Sequence, residues 1–203
     1  AVLLGEDLTD QRRQGVLAVL DQHRVRGTGA NLAWSAELKL HAACLAGDAE
    51  AVAEAATLIW EEVSVGEEEG IQPDRSFFQH GPRLQAFAYG KSFVNVVVPT
   101  AWLLRETPWA MPAERQSILS SYLLDGLQWM CRGVYTVPGT LDRAVSRKGS
   151  MRNGDLRRLL RMWRRVDDRR AEELAAFLAR QEEKGEPLVG WRHFPRAEFT
   201  CHH

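Results

Sequence analysis

A succession of segments with apolar residues at the helical period is the feature that most constrains the fold of this chain. In the clearest segment, Val52, Ala56, Ile59 and Val63 follow one another at steps of four, three and four residues, so they lie on one face of a helix. No alternating strand pattern accompanies these segments, which argues against a parallel sheet. We predict seven helices, over residues 10–22, 31–46, 48–63, 91–105, 113–130, 154–165 and 167–184, and an extended segment over residues 186–203.

Helices that follow one another in hairpins predict an all-α fold, and periodicity leaves a bundle, a solenoid and a closed ring open. The chain has 26 basic and 27 acidic residues, so it has no overall basic field that would attract nucleic acid or anionic lipid. No apolar run approaches the roughly 20 residues that cross a bilayer. Three widely separated cysteines without a C-x-x-C pair argue against a disulfide framework.

Two long stretches without helical periodicity interrupt the pattern, over residues 64–89 and 133–152. Loops of this length in compact domains are usually functional or disordered. The first stretch carries Phe77, Phe78 and Phe87, which is too aromatic for a disordered linker. We therefore predict an ordered loop with a functional role.

The reactive polar residues concentrate in these two stretches and in the turn before the second helix. They are Asn31, His80, Tyr89, Arg143 and Arg147. Asn and Arg side chains can neutralise a carboxylate, while His and Tyr side chains can exchange protons. The set therefore suits a substrate that bears a carboxylate and reacts without a nucleophile from the protein.

Four sequence blocks together resemble polysaccharide lyase family eight, which includes hyaluronate, chondroitin and xanthan lyases. Thr28–Asn31 (TGAN) is similar to the family's segment with the active-site Asn, and Asp74–His80 (DRSFFQH) is similar to its D-G-S-F-x-x-H block. Tyr89–Gly90 resembles its Y-G pair, and Asp142–Arg147 (DRAVSR) resembles its G-R-G-I-S-R block. Any one block is weak evidence, whereas four blocks in the family's order and spacing argue against coincidence.

The resemblance implies β-elimination at a uronic acid, in which the C5 proton is removed and the glycosidic oxygen at C4 is expelled. The C5 proton is very weakly acidic, so the negative charge that accumulates on the neighbouring carboxylate must be stabilised. By this resemblance Asn31 donates to the carboxylate, and His80 and Tyr89 transfer the protons. Which of His80 and Tyr89 is the base depends on the configuration at C5 and stays open.

The same resemblance assigns the remaining site residues. Arg143 completes the catalytic set by placing positive charge beside the phenol, and together with Arg147 it holds the substrate. Gln79, the residue before His80, is predicted to bind substrate as well. The family implies neither a metal nor another cofactor. The chain departs from the family pattern at Arg75, where Gly is common, and this departure predicts a differently shaped loop.

The resemblance also implies a larger architecture. Residues 1–186 are expected to form part of the catalytic domain, an incomplete α/α toroid, and residues 187–203 to begin a linker or a β-sandwich domain. Because the chain starts without an initiator Met, we expect the parent protein to continue beyond both ends, with the rest of the β-sandwich part as a partner. The expected ligand is a glycosaminoglycan-like or xanthan-like acidic polysaccharide, and the expected location is secreted or periplasmic.

Each site residue also has a plainer interpretation. His80 fits a loop histidine bonded to a backbone carbonyl, and Tyr89 fits a half-buried aromatic with a tethered hydroxyl. Asn31 fits a helix N-cap after the glycine turn. Arg143 and Arg147, four residues apart, fit a solvated helix face.

Two other functions compete with that of a lyase. A non-catalytic relative would bind acidic glycans through the arginines and aromatics alone. A helical repeat that binds nucleic acid would use the eight arginines of residues 152–170, although the leucines among them favour an ordinary helix face. The acidic run Glu67–Glu69 is predicted to be a solvated turn, and tryptophans at helical positions, such as Trp34, are predicted to lie in the core.

Overall fold

The computed structural model describes residues 7–203, and helices dominate it. Residues 1–6 lie outside the described residues. The interpretation of the N-terminus and the first residues of the predicted helical domain fall on them. The seven α-helices of the described part are α1 (Asp10–Leu20), α2 (Gly29–Ala46), α3 (Ala49–Glu62), α4 (Lys91–Leu104), α5 (Ala113–Ser121), α6 (Leu156–Trp163) and α7 (Ala171–Gln181). The predicted helical class is confirmed. None of these helices is long and apolar enough to cross a bilayer.

Three short antiparallel hairpins accompany the helices of residues 7–203. They are β1 (Gly70–Ile71) with β2 (Phe77–Phe78), β3 (Cys131–Arg132) with β4 (Tyr135–Thr136), and β5 (Trp191–Phe194) with β6 (Phe199–His202). The third hairpin pairs Trp191 with His202 and Phe194 with Phe199. The extended C-terminal segment is thus confirmed as a hairpin. The first hairpin forms inside the irregular stretch 64–89, whereas β3 precedes the stretch 133–152 and only β4 lies inside it.

Helix α4 occupies the centre of the helical packing. It packs against α2 and α6, and α2 packs in turn against α3. Phe93, Val94, Val97 and Val98 of α4 are fully buried, as expected for a helix that is apolar on nearly all sides. Because Tyr89 immediately precedes α4, this buried helix sets where the phenol lies.

The helix predicted over residues 113–130 ends early, at Ser121. The chain continues through a π-helical turn, Tyr122–Gly126, and then a 3-10 turn. A Cβ atom at Gly126 would clash with the backbone carbonyl of Arg75. A loop distant in sequence therefore approaches the backbone here and accompanies the interruption of the helix, which periodicity does not reveal.

Candidate active site

The hydroxyl of Tyr89 is the point at which the predicted site residues converge. His80 Nε2 lies 2.8 Å from it, and Arg143 Nη2 donates to it at 3.3 Å. The imidazole stands edge-on to the phenol, with ring centroids 4.8 Å apart and an interplanar angle of 88°. The structure brings three of the four predicted catalytic residues together, in a geometry through which protons can be exchanged with a ligand.

Tyr89 is held by a π-helical turn, Ala86–Gly90, that runs directly into α4. Such turns are rare in proteins, and those that do occur are often found at functional sites. At Gly90 the turn lies so close to the core that an added Cβ would clash with the hydroxyl of Tyr122 and lie 3.0 Å from Phe77. The half-buried phenol of Tyr89 therefore projects from a backbone that is tightly packed from behind.

His80 directly follows the buried strand β2 and Gln79, and its own side chain is exposed. Its backbone is left-handed, with a φ of 61°, and Gly81 follows with a φ of 80°. A non-glycine residue in this region is uncommon and is typical of turns and functional sites. The plainer interpretation, a histidine bonded to a backbone carbonyl, does not describe this residue, because its Nε2 faces the phenol of Tyr89.

Gln79 is fully buried behind the cleft, although we predicted that it binds substrate. Its Oε1 accepts a hydrogen bond from the Ala30 N–H at 3.0 Å, and its Nε2 donates to the Thr28 carbonyl at 3.2 Å. The same Nε2 also donates to Glu69. These contacts favour a role in holding the start of α2 over direct contact with substrate.

Asn31 lies in the first turn of α2 and is half-buried. The interpretation of Asn31 as the N-cap is wrong, because α2 begins at Gly29 and Thr28 occupies the N-cap position. Asn31 lines a shallow groove of about 430 Å³ together with Trp34, one turn further along α2. Trp34 also lines the pocket that contains Tyr89, so it connects the groove of Asn31 to that pocket.

Arg143 and Arg147 lie on a surface turn that borders the pocket of Tyr89, and both are exposed. Arg143 lies in the 3-10 turn Asp142–Ser146, and Arg147 is the residue that follows it. The interpretation that they share one face of a helix is therefore wrong. With Tyr89 and Lys91 they line a pocket of about 330 Å³. Three cationic side chains and a phenol around one pocket suit an anionic sugar.

Asp142 connects this arginine turn to the Tyr89 side. Its Oδ2 accepts a hydrogen bond from Gln85 Nε2 at 2.8 Å, and this bond is the main reason that the pKa of Asp142 lies below its usual value. Nearby, Lys91 pairs with Asp155 at 3.1 Å. Burial opposes ionisation of Asp155, but Lys91 outweighs it and the pKa of Asp155 is lowered. Both carboxylates are thus ionised at neutral pH.

The sequence analysis missed two residues of the site. Trp34, expected in the core, is 41% exposed on α2, and its ring centroid lies 6.1 Å from that of Tyr89. An exposed indole beside the phenol offers a flat apolar surface to a sugar ring. Glu69, expected in a solvated turn, instead accepts a hydrogen bond from the backbone of His80. Nothing in its local sequence distinguishes Glu69 from Glu67, because only the fold brings it beneath His80.

The arginine-rich segment 152–170 is partly neutralised by neighbouring carboxylates. Arg169 pairs with Asp167 at 2.7 Å, and Arg170 pairs with Asp125 at 2.8 Å. Burial opposes ionisation of Asp125, but hydrogen bonds from Arg170 and a serine outweigh it, so the pKa of Asp125 is lowered. These pairs favour a structural role for the two arginines over a surface for nucleic acid.

Within residues 7–203, no group of three His, Cys, Asp or Glu side chains converges as a metal site would require. The adjacent Cys201, His202 and His203 at the C-terminal hairpin separate in space. Cys201 is buried, whereas the ring of His203 bonds to the carbonyl of Trp129 at 2.8 Å. These contacts favour a structural role for Cys201 and His203.

Comparison with known proteins places this geometry among the polysaccharide lyases. Residues 5–178 match the family described as polysaccharide lyase family 8, N-terminal alpha-helical domain. Chondroitinase-AC of Pedobacter heparinus is 35% identical over 115 residues, which is 57% of this chain and 16% of that protein. The chain therefore spans about a sixth of the length of this curated relative.

Solved structures show the same fold. A chondroitinase AC lyase, whose structure was determined with oligosaccharides, superposes with a TM-score of 0.73 at 31% identity, over 77% of this chain and 23% of the other. A Paenibacillus xanthan lyase superposes with a TM-score of 0.74 at 16% identity, over 95% and 22%. The chondroitin AC lyase of Streptomyces coelicolor A3, solved with chondroitin sulphate, gives 0.67 at 16% identity, over 98% and 34%.

Proposed function

Since the chain belongs to polysaccharide lyase family 8, as part of its N-terminal helical domain, we propose that it forms the catalytic cleft of an enzyme that cleaves an acidic polysaccharide by β-elimination. The proposed substrate contains uronic acid and is glycosaminoglycan-like or xanthan-like. The proposed product carries an unsaturated uronate at its new end. The relatives named as chondroitin or chondroitinase AC lyases and the xanthan lyase support this choice of substrate class.

One observation carries the proposal: the Tyr89 hydroxyl lies within 2.8 Å of His80 Nε2 and 3.3 Å of Arg143 Nη2. In the proposed step the C5–H bond breaks, its electron pair forms the C4=C5 double bond, and the C4–O4 bond breaks. His80 or Tyr89 takes the C5 proton, according to the configuration at C5, and Tyr89 is placed to give a proton to the departing oxygen.

The uronate carboxylate must be stabilised while the C5 proton leaves, because negative charge moves onto it in the transition state. We assign this role to the Asn31 amide, whose helix also presents Trp34 beside Tyr89. Arg143 and Arg147 supply positive charge beside Tyr89 and hold the anionic chain. Gln79 contributes by positioning the start of α2, as its buried contacts indicate.

The larger architecture is part of the same proposal. The helices of residues 1–186 would form part of an α/α toroid, and the hairpin within residues 187–203 would lead into a β-sandwich domain that completes the enzyme. This arrangement fits a chain that spans 16% to 34% of the lengths of its relatives. A secreted or periplasmic location follows from the size of the polysaccharide substrate.

The test incubates the full-length enzyme with hyaluronan, chondroitin sulfates, xanthan, glucuronan and alginate, and follows the near-ultraviolet absorbance of the unsaturated uronate. We expect absorbance to rise on one of these substrates. Tyr89→Phe removes the hydroxyl at which His80 and Arg143 converge, so kcat should fall by about 10²- to 10⁴-fold.

Tyr122→Phe is the matched control, because it makes the same chemical change at a fully buried hydroxyl that has no hydrogen-bond partner among residues 7–203. We expect it to leave activity unchanged and to stabilise the fold by about 1 kcal/mol, since an unsatisfied polar group is removed. A folded enzyme that binds these polysaccharides but produces no absorbance would instead be a non-catalytic glycan-binding relative.

A further inference from the structure

The carboxylate of Glu69 accepts hydrogen bonds from two segments of the cleft. Its Oε1 accepts from the backbone N–H groups of His80, at 2.7 Å, and Gly81, at 3.2 Å. Its Oε2 accepts from the hydroxyl of Thr28 and from the side-chain amide of Gln79. One oxygen thus faces the loop that carries the imidazole, and the other faces the start of α2.

The backbone conformation of the loop depends on the first oxygen. Positive φ values at His80 and Gly81, 61° and 80°, turn both N–H groups toward the same oxygen. Successive N–H groups that point the same way form a concavity for an anion. An unusual backbone of this kind persists only where its surroundings hold it. Glu69 supplies that hold through the backbone N–H groups of His80 and Gly81.

The second oxygen acts on the opposite segment through Gln79. While Gln79 donates to Glu69, it also bonds to the Ala30 N–H and the Thr28 carbonyl, so its position sets where α2 begins. Asn31 is the next residue of that first turn. A shift of the contact between Glu69 and Gln79 would therefore move Asn31 relative to His80.

We propose that Glu69 is a positioning residue that sets the placement of His80 relative to Asn31. The inference rests on the proposed function, because this placement affects catalysis only if both side chains act on one uronate. Glu69 acts through its two oxygens, each of which serves one segment. An amide at this position cannot serve both, because its nitrogen would face either the N–H groups of the loop or the donating amide of Gln79.

The experiment compares Glu69→Gln with Glu68→Gln, the exposed neighbouring carboxylate, in the full-length enzyme. For Glu69→Gln we expect kcat to fall at least tenfold and KM to change less than twofold. The variant misaligns His80 and Asn31 for the chemical step and leaves substrate binding unchanged. Amide hydrogen exchange, which requires no turnover, should accelerate at residues 79–81 and 28–31. Glu68→Gln should leave both readouts unchanged.

Thr28→Val provides a second, milder variant, since it removes one donor to Glu69 and leaves the carboxylate charged. It should lower kcat and accelerate amide hydrogen exchange, as Glu69→Gln does, but by a smaller factor. If Glu69→Gln fails to fold, Thr28→Val serves as the test variant. Wild-type kcat in Glu69→Gln, an effect on KM alone, or unchanged exchange at both segments would overturn the proposal. A wild-type enzyme without lyase activity would contradict the proposed function, while the exchange comparison would still decide the role of Glu69 in positioning.

Discussion

The two sides of the cleft are held in place by different contacts. His80 and Tyr89 project from backbone that is packed against the core, the first after the buried strand β2 and the second from the turn that enters α4. Arg143 and Arg147 project from the 3-10 turn Asp142–Ser146, none of whose residues is buried. One side is therefore part of the folded core, and the other is a surface turn.

This difference agrees with the chemistry proposed for each side. Proton transfer requires heavy-atom distances of about 2.6–3.2 Å, so its groups need a rigid support. The attraction between a guanidinium and a carboxylate falls off slowly with distance, so a binding side tolerates movement. We therefore expect substitutions at His80 and Tyr89 to act mainly on kcat and substitution of Arg147 to act mainly on KM.

The largest effect is expected for His80→Ala. The variant removes the imidazole that lies 2.8 Å from the Tyr89 hydroxyl, so kcat should fall by about 10²- to 10⁴-fold with little change in KM. Steady-state kinetics of the full-length enzyme provide the measurement. His41→Ala, at a histidine whose side chain is 59% exposed on α2, is the control and should retain activity. If His80→Ala kept the kcat of the wild type, the imidazole would have no role in the mechanism.

Gly90→Ala tests whether core packing supports the phenol. The new methyl group would clash with the Tyr122 hydroxyl and crowd Phe77, so we expect a loss of about 1–3 kcal/mol in the free energy of unfolding. Chemical denaturation measures this loss, and adding Tyr122→Phe should recover part of it because the clashing oxygen is gone. Gly15→Ala, on the open side of α1, should instead stabilise the protein by about 0.5–1 kcal/mol. Strictly additive effects of Gly90→Ala and Tyr122→Phe would contradict the packing argument.

Arg147→Ala should give the smallest effect of the three. Loss of one exposed guanidinium should raise KM about tenfold, with kcat within a few-fold of wild type, because a charge-assisted hydrogen bond contributes about 1.5 kcal/mol or more. The increase should shrink as salt rises, since exposed charges are screened. Kinetics at two salt concentrations test this, with Arg13→Ala on exposed α1 as the control. A drop in kcat without a change in KM would contradict the contrast between the two sides.

The sequence was sufficient for the helices whose buried faces recur at the helical period, such as α3, where Val52, Ala56 and Ile59 are buried. It failed over residues 113–130, because the helix is interrupted where the Arg75 carbonyl approaches Gly126. Periodicity reports which face of a segment is apolar, and it carries no information about a loop that arrives from elsewhere in the chain.

The candidate site divides in the same way. Asn31, His80, Tyr89 and Arg143 were found through blocks of neighbouring residues, which survive in the sequence as short patterns. Glu69 belongs to no such pattern, and its role became visible only from the backbone groups that donate to it. Almost any residue can donate a hydrogen bond from its backbone N–H group, so the sequence around the donors does not reveal such a contact.

By itself the sequence determined the helical class and the approximate positions of most helices, and it indicated the candidate site residues, because these depend on local periodicity and on compact motifs. Only the tertiary structure decided which side of the cleft is packed against the core, that Trp34 faces outward and that Gln79 faces inward. These properties depend on the burial and distance of groups far apart in the chain, which are set when the helices pack and not by any segment alone.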